Sequence, residues 1–144
     1  MPLPALGYAH IRLTVTDIVR SRAFYDAVFG FDVAYEAPGA DADEATKEAL
    51  AFLFGGVVYR FAGGALGLRP VAPEGDRFDE NRVGLDHLAI ALPTLADLEA
   101  AASHLDDLGI AHEPIKDAGR GTGFVLEFRD PDNIALELYV RVAP

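Results

Sequence analysis

Three observations on the sequence predict an α+β fold of two β-α-β-β-β modules. The chain repeats itself: Gly7-Tyr8-Ala9-His10 opens one alternating apolar stretch, and Gly84-Leu85-Asp86-His87 opens another 77 residues later. Each stretch is followed by a helix-like segment that a glycine stops, Gly30 in the first half and Gly109 in the second. Each half closes on a short strand pattern, Ala65–Arg69 and Ala135–Tyr139. Two copies are too few for a solenoid. The expected organisation is one domain, 1–144, built of a module 7–69, a linker 70–83 and a module 84–140.

The elements follow in order. Ile11, Leu13 and Val15 alternate with polar residues, the pattern of a half-buried strand. Thr16 or Asp17 can cap a helix over 17–29, with Ile18, Phe24, Tyr25 and Val28 as its apolar stripe. A strand 31–36 follows, then an acidic, alanine-rich loop entering a helix 42–54. Strands 57–61 and 65–69 are divided by the turn signal Gly63-Gly64. The linker holds two prolines, one glycine and six charges, and is expected on the surface. In the second module, strand 85–92 leads to Thr94-Leu95-Ala96-Asp97, close to a capping box. Leu95, Leu98, Ala102, Leu105 and Leu108 then recur at three- and four-residue steps, as a helix buried on one face requires. Strands are expected at 110–115, 123–129 and 134–140. The last two are joined by the turn Asp130-Pro131-Asp132-Asn133.

Strand side chains alternate between faces, so parity assigns each residue. Ile11, Leu13 and Val15 fall on the helix side; His10, Arg12 and Thr14 fall on the other. Leu136, Leu138 and Val140 are core, and Ala135, Glu137 and Tyr139 share the side of His87. Phe124, Leu126 and Phe128 are core, which turns Val125, Glu127 and Arg129 to that same side. Helices on one face and histidines, carboxylates and arginines on the other describe a cup-shaped mixed sheet with its helices on the outer face.

His10, His87 and Glu137 form the sharpest pattern on the polar face. Two imidazoles and one carboxylate suit Fe, Mn, Ni or Zn and leave coordination positions open for a substrate. The alternative is a hydrogen-bonded His–Glu pair without metal. Glu127 lies ten residues before Glu137, across a tight turn and on the same face, placed as a general base or in a salt bridge with Arg129 or Arg12. Arg12, Arg69 and Tyr139 are candidates for binding an anionic or oxygen-rich substrate. His104 falls on the polar side of its helix, and His112 has no evident partner.

Composition narrows the function. The formal charge of −11, from 12 basic and 23 acidic residues, repels phosphate backbones and anionic membranes, so neither nucleic acid nor membrane is expected as a partner. The absence of cysteine excludes a disulfide scaffold, a thiolate zinc site and a cysteine nucleophile. No apolar run approaches the roughly 20 residues of a membrane helix. The first eight residues lack a signal-peptide pattern, and a cytoplasmic location is expected.

His10, His87 and the run Phe128-Arg129-Asp130-Pro131-Asp132-Asn133-Ile134-Ala135-Leu136-Glu137-Leu138 resemble the vicinal oxygen chelate superfamily. That family joins glyoxalase I, bleomycin-resistance proteins, fosfomycin-resistance enzymes and extradiol dioxygenases. The resemblance covers 7–36 and 57–140. It implies a metal-dependent enzyme acting on a small substrate with vicinal oxygens, with isomerase or lyase chemistry, and a homodimer. The alternatives it carries are an extradiol-type ring-cleaving dioxygenase and a non-catalytic, bleomycin-resistance-like binding protein. Glyoxalase-like members have a fourth ligand where this chain has Gly67. Arg12 stands where fosfomycin enzymes place a threonine, and Glu127 where several dioxygenases place a tyrosine.

Overall fold

The computed structural model describes residues 2–142. These fall into two compact units. One comprises the chain up to Arg22 together with Gly30–Gly75; the other comprises Ala23–Phe29 together with the chain from Asp76 onward. Each unit holds a four-stranded mixed sheet.

In the first unit, β1 (Ile11–Thr14), β2 (Asp32–Glu36), β3 (Val57–Phe61) and β4 (Gly64–Arg69) are ordered β1-β4-β3-β2. β1 runs parallel to β4, and the remaining pairs are antiparallel. Leu13, Val15, Val57, Tyr59, Leu66 and Leu68 are all buried, so the parity expected for β1 holds. Full burial of each such side chain contributes roughly 1.5–3 kcal/mol. The expected helix 42–54 is in fact two pieces, α2 (Glu44–Ala49) and a 3-10 turn (Ala51–Leu53). Asp43 caps α2 by accepting from the Thr46 amide at 2.8 Å. Phe54 then ends the turn in the left-handed region, φ 54°.

In the second unit, β5 (Leu88–Leu92), β6 (Lys116–Asp117), β7 (Gly123–Arg129) and β8 (Ala135–Arg141) are ordered β5-β8-β7-β6, the same topology. α3 (Leu95–Asp107) packs on β5, β7 and β8 through Leu98 and Leu105. Thr94 caps it as the sequence predicts, its Oγ1 accepting from the Asp97 amide at 3.1 Å. The strand expected at 110–115 does not form. Pro114 has no N–H to give the ladder, so pairing is limited to a bridge at His112–Phe128 before β6 begins at Lys116.

α1 (Ile18–Phe29) is capped by Asp17, whose carboxylate accepts from the Val19 and Arg20 amides. Its second half belongs to the second unit. Phe24 and Phe29 pack on Phe128 with ring centroids 6.3 and 6.4 Å apart. His104, exposed as expected, also meets the Ala27 carbonyl at 2.8 Å. Among the described residues no helix is long and apolar enough to cross a membrane.

The hairpin between β7 and β8 turns on Asp130. Its Oδ1 accepts from the Asp132 and Ile134 amides at 2.9 and 2.7 Å, and its Oδ2 accepts from the Tyr25 hydroxyl at 3.1 Å. Burial pushes this carboxyl up to about 6, although the three hydrogen bonds pull it down. Folding therefore favours the protonated form, and stability rises as pH falls from about 6 toward the ordinary value of 3.8. The gain is about 2–3 kcal/mol. Denaturant unfolding of chelator-treated protein at pH 7.5 and pH 5 should show higher stability at pH 5. Asp130→Asn keeps the acceptor oxygen and should flatten this dependence; an unchanged slope would remove Asp130 as its source.

Candidate metal and substrate site

The polar face of the second sheet carries a groove of about 480 Å³, entirely within the second unit. His87 stands one residue before β5, and β5 runs parallel to β8 with Leu88 opposite Leu136. That register brings His87 beside Glu137, whose flanks Leu136 and Leu138 are buried in the core. His87 Nε2 and Glu137 Oε2 are 3.5 Å apart. On its other side, His87 Nδ1 meets Asp86 Oδ1 at 2.5 Å. The Asp86 hydrogen bond holds the imidazole above its usual range, and the charges of Glu137 and Glu127 add to this against partial burial.

The His87–Glu137 separation is one that two ligands of a single divalent cation would have. Two ligand atoms each roughly 2.1 Å from one ion, at a near-tetrahedral angle, lie about 3.4 Å apart. A carboxylate on the second ring nitrogen fixes the tautomer that leaves Nε2 as the acceptor. Among the described residues, no three His, Cys, Asp or Glu side chains converge as a complete ligand group. His10 lies in the first unit, exposed, immediately before β1.

Glu127 is opposite Glu137 in the β7–β8 ladder and lines the same groove. Its partner is neither Arg129 nor Arg12 but Lys116, Nζ to Oε2 at 2.5 Å. That contact raises the Lys116 ammonium above its ordinary range. Arg129 is held instead by Glu80 through two bonds of 2.6 and 3.1 Å, which hold the Glu80 carboxyl down at about 2. Glu80 thus enters the groove from the expected linker. Phe78 and Asn133 fix it there, exchanging Phe78 N–H to Asp132 O and Asn133 Nδ2 to Phe78 O. His112, also a groove residue, has its Nδ1 on the Glu113 carbonyl at 2.8 Å. Tyr139 lies outside the groove lining and packs its ring over Gly123.

In the first unit, the polar face of β1 and β4 carries His10, Arg12, Gly67 and Arg69, with Arg12 opposite Gly67 and Thr14 opposite Arg69. Arg12 donates to the Phe52 carbonyl at 2.7 Å and lies over the Phe54 ring, 5.7 Å from its centroid. Arg69 stacks closer on that ring, at 4.2 Å. A Cβ at position 67 would stand 3.0 Å from the Arg12 Cγ. The stem of Arg12 therefore fills the space beside Gly67.

Comparison with known proteins agrees with this architecture. The Glyoxalase/Bleomycin resistance protein/Dioxygenase superfamily matches residues 7–138. The uncharacterized protein YaeR of Escherichia coli (strain K12) is 33% identical over 131 residues, covering 90% of this chain and 92% of its own. A glyoxylase/bleomycin resistance protein/dioxygenase domain from Frankia sp. EAN1pec superimposes with a TM-score of 0.73 at 28% identity, over 96% of this chain and 93% of its own. The fosfomycin resistance protein FosX of Listeria monocytogenes, solved with Mn(II) and sulfate, shares the fold with a TM-score of 0.67 at 20% identity, over 96% and 92% of the two chains.

Proposed function

The chain belongs to the Glyoxalase/Bleomycin resistance protein/Dioxygenase superfamily, and on that premise we propose that it is a cytoplasmic, metal-dependent isomerase or lyase acting on a small substrate with vicinal oxygens. His10, His87 and Glu137 hold one divalent ion. The observation that carries this reading is the His87–Glu137 pair at 3.5 Å with Asp86 behind the imidazole. A bound divalent ion supplies Lewis-acid polarisation of the substrate oxygens. FosX, with the same fold, is complexed with Mn(II) in some of its solved forms.

The chain's own residues supply the rest. Asp86 orients His87. Glu127, beside Glu137 but turned to Lys116, takes and returns the substrate proton. Arg12 spends one of its five donors on Phe52 and keeps the others for an anionic or oxygen-rich substrate group, with Arg69 as a further contact. The functional molecule is a homodimer.

Elemental analysis of protein purified without chelator and reconstituted with Mn(II), Ni(II), Zn(II) or Fe(II) tests the metal. One tightly held ion per chain is expected, and substoichiometric binding of all four would overturn the reading. Sedimentation at micromolar concentration should give a dimer, and a monomer there would contradict the assembly.

A further inference from the structure

Among the described residues, Arg129 is the one guanidinium lining the groove of the second unit, where Asp86, Glu113, Glu127 and Glu137 also stand. Its fork is already filled. Glu80 Oε1 accepts from Nη2 at 2.6 Å and Oε2 from Nη1 at 3.1 Å, while Nη1 also donates to the Asn133 carbonyl at 3.2 Å. A guanidinium takes a ligand carboxylate through the same pair of bonds. The segment that carries Glu80 is tied down beside it. Phe78 N–H donates to the Asp132 carbonyl at 2.9 Å, and Asn133 Nδ2 donates to the Phe78 carbonyl at 3.0 Å. Arg77 Nη2 donates to Asn133 Oδ1 at 2.8 Å. These bonds to the turn between β7 and β8 deliver a carboxylate to Arg129 before any ligand arrives.

We propose that Glu80 is a specificity-determining residue: it fills the carboxylate-binding fork of Arg129, so that a substrate substituent entering this groove is uncharged rather than a carboxylate. Two costs fall on a carboxylate ligand. It must break both bonds to Glu80, and it leaves Glu80 without its cation in a space shared with Glu127 and Glu137. Ordinary buffers do not open the pair by titration, since the Glu80 carboxyl is held down at about 2. The side chains of Arg129 and Glu80 are 43% and 34% exposed, so the fork comes within reach of a ligand once Glu80 is removed. Arg12 and Arg69 lie in the first unit and are not part of this restriction.

The inference rests on the metal reading only for the anchor of its test. Butyrohydroxamate and succinic acid monohydroxamate present the same two vicinal oxygens and differ in a terminal methyl against a carboxylate. Calorimetry on Mn(II)-loaded protein should show butyrohydroxamate binding that is lost in His87→Ala, which reports the metal reading alone. Measured against butyrohydroxamate, the succinic compound should gain about 10–100-fold in Glu80→Ala over wild type, the range of a charged hydrogen bond. The glutaric homologue, one carbon longer, covers a different span to Arg129. Glu80→Gln keeps the length of the side chain and removes its charge; it should give a smaller gain, and it serves where Glu80→Ala fails to fold. The double variant Glu80→Ala/Arg129→Ala should lose the gain. An unchanged ratio in both Glu80 variants at both chain lengths, or a gain that survives the loss of Arg129, would overturn the role of Glu80 and leave the metal reading standing. Absence of metal-dependent butyrohydroxamate binding would overturn the metal reading instead. Succinate titrated into metal-free protein then decides on Glu80: it should shift the Arg129 amide resonance saturably in Glu80→Ala and not in wild type, and equal behaviour in the two would overturn the proposal.

Discussion

His87→Ala is expected to lower divalent-metal affinity by more than about 100-fold while leaving the fold in place. The magnitude follows from the ligand's rank: loss of a residue that only supports a ligand costs about 10–100-fold, and loss of the ligand itself exceeds that. His87 is nearly half-exposed, with 43% of its side chain accessible, so truncation leaves no core cavity. The unfolding temperature in chelator should therefore match wild type. Asp86→Asn should fall in the smaller range, because the Asp86 carboxylate orients the imidazole without touching the ion. Retention of full metal content in His87→Ala would show that the ion sits elsewhere or that the His87–Glu137 pair is purely structural.

Glu127→Gln should retain one ion per chain and reduce turnover by about 10²–10⁴-fold, the span of a lost general base. The measurement needs a substrate, found from a panel of small vicinal-oxygen compounds on the metal-loaded protein. Glutamine keeps the size of the side chain and removes its basicity. The ion pair with Lys116 supplies the control, because Lys116→Ala breaks the same contact and leaves the carboxylate intact. Such exposed pairs contribute roughly 0–1 kcal/mol to stability, so this variant should keep turnover within a few-fold of wild type. Equal losses in the two variants would reduce Glu127 to a salt-bridge partner.

The second module was legible because its ladder is regular. Alternation alone turned Glu127, Glu137 and Arg129 away from Phe128 and Leu136, and the β7–β8 pairing brings Glu127 opposite Glu137 as the turn length required. Parity placed His87 and Glu137 on one face, and the parallel β5–β8 register then sets them side by side. What the sequence hid has identifiable causes. Lys116 stands just beyond Pro114, between the strands expected at 110–115 and 123–129, so its pairing with Glu127 had no periodic signal. The Glu80–Arg129 clasp joins residues 49 apart, one of them in a linker without pattern. The bulge in β2 reverses the face of Tyr35, and parity reasoning assumes that no such defect exists. The stripe of α1 showed that a face is buried but not that Phe24 and Phe29 bury it on the second sheet. Gly67 read as a missing ligand; the structure adds that the Arg12 stem occupies the space a side chain there would take.

The most direct test of the central claim is anomalous diffraction at the manganese edge from crystals grown with Mn(II). The account predicts one strong peak per chain, bonded by a ring nitrogen of His10, His87 Nε2 and a carboxylate oxygen of Glu137, with Glu127 near the ion but not bound to it. A peak ligated by Glu127 and Asp86, one lacking His10, or no peak at saturating Mn(II) would contradict it.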